Sequence, residues 1–146
     1  QHDLIDTSQP GPAPRLKTVL CPVNFSESAR AAMVFAASVA ALFQARLVPM
    51  CVWEAGHGQT APGVEADLRS WVDDTVAATC GVKPVGRKGR VADEIVAHAA
   101  KIQADLVVLG AQRRGSFGAW LFGDTTELVL RHAPSPVLVV PTRRSV

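Results

Sequence analysis

Gly110, Gly115, Gly118 and Gly123 punctuate one stretch of the chain, with Arg113, Arg114 and Ser116 among them, and the stretch leads into a candidate helix. Glycines allow positive φ and close backbone approach, and a helix start offers unpaired N–H groups. Together these suit an anion such as phosphate. The same residues also suit a surface loop ending in a cap, because Asp124-Thr125-Thr126-Glu127 has the form of a capping box with Asp in the lead. Other chemistry is sparse. His132 sits where a helix should end and reads as a cap or packing residue. His57 lies in a second Gly-rich loop, Ala55–Gly63. No Ser-His-Asp order, paired-carboxylate motif or metal-ligand spacing stands out.

These residues need elements to hold them. Thr18–Cys21 is a short apolar run closed by Pro22, as expected of a strand covered on both faces. Ser26 is an N-cap candidate for a helix whose apolar face is Ala29, Ala32, Met33, Ala36, Ala37, Ala40 and Phe43. Leu47–Trp53 reads as a second strand, although Pro49 sits poorly in it. A helix over Val64–Cys80, a weak strand over Lys83–Lys88 and a helix over Ala92–Gln103 follow. Leu106–Gly110 is the strongest strand signal, Thr125–His132 the fourth helix and Pro136–Pro141 the fifth strand. This alternation predicts an open α/β sheet of mostly parallel strands. Such sheets bind ligands beyond the strands' carboxyl ends, where the strand order reverses. The informative loops are therefore Pro22–Ser26 and Ala111–Asp124. Trp120, Leu121 and Phe122 are expected to pack beneath the second.

The chain has 146 residues, 48% hydrophobic and 19% charged, enough for one packed domain and too apolar for a disordered chain. Fifteen basic and thirteen acidic residues nearly balance, which argues against nucleic-acid or membrane binding through bulk charge. Aromatics at 5%, with no Tyr, weaken any base-stacking platform. Cys21, Cys51 and Cys80 are scattered and apolar-flanked, fitting buried thiols in a reducing, cytoplasmic compartment. Residues 1–15, with Pro10-Gly11-Pro12-Ala13-Pro14, read as a tail or linker, and Thr142–Val146 as a basic tail.

From Leu16 to Pro141 the chain resembles the universal stress protein family. The resemblance is carried by Thr18–Arg30 (TVLCPVNFSESAR), Gly89–Ala99 (GRVADEIVAHA), Asp105–Gly110 (DLVVLG) and Leu130–Pro141 (LRHAPSPVLVVP). It implies an open five-stranded, Rossmann-like sheet in the order 3-2-1-4-5, helices on both faces and a homodimer. The edge strand Val137, Leu138, Val139 and Val140 would pair the two copies. Some members bind ATP through a Gly, two residues, a Gly, nine residues and a Gly followed by Ser or Thr. On this chain the first and last glycines are Gly110 and Gly123, but Arg113 replaces the middle one and Asp124 the hydroxyl. The Asp usual after the first strand is Asn24. Arg113 resists positive φ by about 1–2 kcal/mol, although Arg is itself a phosphate ligand. Asp124 repels phosphate, and Thr125 offers a substitute hydroxyl. The binding set that the resemblance implies is Pro22, Val23, Asn24, Val52, Gly110, Arg113, Gly115, Gly123, Asp124 and Thr125. Arg113 and Asp124 are expected to approach each other and fill the cradle. The expected function is a non-enzymatic stress-response module acting through dimer and partner contacts. On this reading no cofactor is required and ATP binds weakly if at all; the alternative is a module that senses or stores ATP.

Overall fold

The computed structural model describes residues 15–54, 58–76, 81–112 and 123–142. Within them run β1 (Thr18–Pro22), α1 (Glu27–Phe43), β2 (Arg46–Trp53), α2 (Ala61–Thr75), β3 (Val85–Lys88), α3 (Val91–Lys101), β4 (Leu106–Gln112), α4 (Asp124–His132) and β5 (Val137–Thr142). All five strands are parallel and the order is β3-β2-β1-β4-β5, as the alternation and the family resemblance predict. The chain's N-terminal stretch 1–14 and its last four residues lie outside the described residues.

Alternate strand residues face opposite sides, and two cores result. Val19, Cys21, Leu47 and Val108 pack with Ala32, Met33 and Ala36 of α1 and Leu68 and Val72 of α2. Leu20, Val48, Met50, Val107 and Leu109 pack with Ile95 and Ala99 of α3 and Val129 of α4. Phe43, expected inside, is 37% exposed because it ends α1 beyond the sheet-facing turns. Cys51 is half-buried where full burial was expected.

Prolines set the limits of pairing. In β2 the odd-numbered residues turn their N–H and C=O groups toward β3: Leu47 accepts from Lys83 N–H at 3.0 Å and Trp53 from Gly89 N–H at 2.9 Å. Pro49 falls in this phase and has no N–H to give. The ladder is broken there, with an isolated Leu47–Val82 bridge below the break and pairing from Met50–Val85 above it. That is why β3 begins at Val85 and not at Lys83. Helix α2 starts at Ala61, three residues before the expected Val64, because Thr60 caps it by accepting from Gly63 N–H at 3.2 Å and Pro62 suits its first turn. Its described part ends at Thr75, and Cys80 lies outside the described residues.

Candidate functional site

The cleft opens where β1 and β4 part. Even-numbered residues of β1 face β4, and Thr18 accepts from Asp105 N–H at 2.9 Å. Pro22 shares this phase and cannot donate. Pairing with β4 stops at Leu20–Val107, although β1 stays paired with β2 as far as Pro22–Met50. Past that point the strands leave a cavity of about 260 Å³ at the carboxyl end of the sheet. Its floor is apolar, from Pro22, Met50, Val52, Val91, Ile95 and Leu109. Its polar groups are Asn24 and Ser28 on one side and Thr125 and Thr126 on the other. No Lys, Arg, His, Asp or Glu is among the described residues lining it.

A short hydrogen-bonded chain builds the α1 side. Phe25 turns the backbone at φ 62° and rests edge-on against Trp71, ring centres 5.6 Å apart. Asn24 Oδ1 accepts from Ser26 N–H at 3.2 Å and from Ser26 Oγ at 2.5 Å. Ser26 caps α1, as expected, by accepting from Ala29 N–H at 3.2 Å. Ser28 Oγ lies 2.9 Å from Ser26 Oγ. Gly110 at the end of β4 lies beneath this turn, and a Cβ there would sit 2.5 Å from the Ser28 carbonyl carbon and 3.1 Å from Ala29 N.

The α4 side corrects one expectation. Gly123 is the N-cap and Asp124 is the first helical residue, so the capping box led by Asp124 does not form, and the N-cap, a glycine, has no side chain to accept a bond. Asp124 and Glu127 both place carboxylates in its first turn. There they already complement the positive end of the helix dipole.

Of the expected binding residues, Pro22, Val23, Asn24, Val52, Gly110 and Thr125 come together around the cavity, and Gly123 and Asp124 do not line it. Arg113, Gly115, Gly118, Ser116, His57 and Trp120-Leu121-Phe122 lie outside the described residues. Ser28, Ala29, Met50, Val91, Ile95, Leu109 and Thr126 were not anticipated. Ser28, Ala29, Val91 and Thr126 sit in first helical turns, where the strand order directs attention, whereas Met50, Ile95 and Leu109 belong to the core and their residue types carry no site signal. Among the described residues no group of three His, Cys, Asp or Glu side chains could hold a metal. No described helix is long and apolar enough to cross a membrane.

A family model described as the Universal stress protein family matches residues 15–141. The chain belongs to this family. It is 30% identical over 135 residues to Universal stress protein Sll1654 of Synechocystis, covering 86% of this chain and 85% of that one. Among solved structures, universal stress protein UspA from Lactobacillus plantarum superposes with a TM-score of 0.63 at 27% identity, over 87% of this chain and 99% of that chain. A universal stress protein from Archaeoglobus fulgidus, solved in complex with dAMP, shares the fold at 18% identity and a TM-score of 0.63, over 85% of this chain and 96% of that chain.

Proposed function

We propose that this universal stress protein is a non-catalytic stress-response module. In this reading it works as a dimer, and its cleft takes a nucleoside-sized ligand but holds a triphosphate poorly. The observation that carries the reading is the charge pattern: the described cleft lining is uncharged, and the adjoining turn of α4 carries Asp124 and Glu127. A phosphate there meets repulsion where an anion site needs attraction; at 4 Å each like-charge pair costs about 4 kcal/mol at an effective dielectric of 20. The A. fulgidus relative with dAMP supports a nucleoside moiety in a cleft of this fold. Amide and hydroxyl groups line the site, and none of these is a general base at neutral pH. The buried Cys21 thiol fits a reducing, cytoplasmic setting.

Two features support self-pairing through β5. This strand is the sheet edge, and its odd-numbered residues Val137 and Val139 turn their backbone groups away from β4. Helix α1 also carries no charged residue from Ala31 to Gln44, and Val34, Phe35 and Leu42 are exposed on it. An uncovered apolar edge of this kind invites a second chain, and two copies of one strand close about a two-fold axis.

Titration calorimetry with AMP, ADP and ATP tests the ligand reading. ATP is expected to bind with a Kd of about 1 mM or weaker. Replacing Arg113 by Gly together with Asp124 by Ser should tighten it by more than the two single changes combined, if the two positions act as a coupled pair. Micromolar ATP binding by the unaltered protein would overturn the proposal.

A further inference from the structure

The hydrogen-bonded chain on the α1 side has only one consistent direction. Asn24 Oδ1 accepts from the Ser26 backbone N–H, so the oxygen and not the amide nitrogen of Asn24 faces Ser26. The same oxygen lies against Ser26 Oγ and cannot donate, so Ser26 spends its one hydroxyl proton on Asn24. Ser26 Oγ also accepts from Ala29 N–H. The Ser26–Ser28 bond must then be donated by Ser28, which fills the second lone pair of Ser26. Every hydroxyl proton of the chain is consumed. Ser28 Oγ retains only lone pairs for a ligand, while the Asn24 amide retains its two N–H donors, without a partner among the described residues. Both residues line the cavity.

We infer that Asn24 and Ser28 read base identity, favouring a ring that presents a carbonyl to Asn24 and an N–H to Ser28, the lactam edge of a 6-keto purine. The inference rests on the reading that the cleft takes a nucleoside. Its apolar floor of Met50, Val52, Ile95 and Leu109 suits a flat ring. A 6-amino purine held by its sugar in the same register sets donor against donor at Asn24 and lone pair against lone pair at Ser28. A site whose polar groups are left unpaired rejects a ligand strongly.

Inosine and adenosine differ only along this edge and carry no phosphate, so they are the probes. By calorimetry, inosine should bind the unaltered protein about tenfold more tightly, the worth of roughly one to two neutral hydrogen bonds. Asn24→Asp keeps both Ser26 bonds, because a carboxylate accepts them equally, but removes the donors; it should abolish or reverse the preference. Ser28→Ala should reduce the preference while a thermal melt confirms the fold. Equal affinities, an adenosine preference in the unaltered protein, or an inosine preference that survives Asn24→Asp would overturn the inference and leave the cleft reading standing. Binding of neither nucleoside at millimolar concentration would overturn both.

Discussion

Gly110 and the Ser28 carbonyl are in such close approach that no side chain fits between them: a Cβ on Gly110 would lie 2.5 Å from the Ser28 carbonyl carbon. The obstacle is backbone at the first turn of α1, and the Ser26 cap and the Asn24 bond hold that turn in place. Gly110 is thus required for seating α1 on β4, whatever ligand the cleft receives. Gly110→Ala should cost about 1–3 kcal/mol, as overpacking of a rigid site does. Urea unfolding reads this directly, and a loss below about 0.5 kcal/mol, the scale of an ordinary surface change, would show that α1 slides to make room.

Asp124 has two opposed effects. As the first residue of α4 it favours the helix, and on the proposed reading its charge disfavours a phosphate at the cleft. Asp124→Ser should therefore lower stability by about 0.3–1 kcal/mol while tightening ATP binding. Melting and titration on the same variant check both signs. A variant that loses stability without gaining affinity would place the carboxylate out of range of any phosphate.

Much of this was legible from residue types. The alternation of apolar runs and amphipathic segments indicated every described element, because a strand covered on both faces reads as a continuous apolar run and a helix buried on one face as a 3.6-residue period. Ser26 announced its cap. Pro22 announced a strand end, but not that its missing N–H opens the sheet on the β4 side, which depends on hydrogen-bond phase. Gly110 stood out as a phosphate-approach glycine, yet its demonstrated constraint is helix packing. Asp124 resembled an N-cap, and Gly123 holds that position. The cleft floor was hidden because Met50, Ile95 and Leu109 look like any core residue. His98 was missed because the apolar stripe of α3 buries it with Ile95 and Ala99.

The edge of β5 predicts oligomeric state. Val137 and Val139 offer backbone groups outward, and Pro141, in the same phase, offers no N–H, so pairing is confined to a few residues. Sedimentation equilibrium should give a dimer at micromolar concentration. Val139→Lys, which places a charge in the middle of the paired segment, should shift it to monomer. A dimer indifferent to this change would place the interface elsewhere.

Thiol reactivity should separate two cysteines. Burial pushes the Cys21 thiol up to about 12 and also raises Cys51, which is only half-buried. The thiolate is the reacting species. Iodoacetamide at pH 8, followed by peptide mass spectrometry, should modify Cys51 well before Cys21 in the native protein. Unfolding in urea should erase the difference; equal native rates would show that the β1 core opens on the labelling timescale.

His98 should make stability depend on mildly acidic pH. It is 7% exposed, and its Nε2 is buried without a hydrogen-bond partner among the described residues. Desolvation lowers its pKa below the ordinary 6.5, and the positive charges of Arg87, Lys101 and Lys83 lower it further. The folded protein therefore binds this proton less readily than the unfolded chain. The stabilising contribution is fully present above about pH 6.5, the unfolded value, and is lost as pH falls toward and through the lower folded value. Melting temperature should drop between pH 7.5 and pH 5. In His98→Gln, which has no proton to gain, the same pH change should lower it less, even if the variant is less stable at pH 7.5. A pH profile of the same depth in both proteins would assign the acid sensitivity to the carboxylates instead.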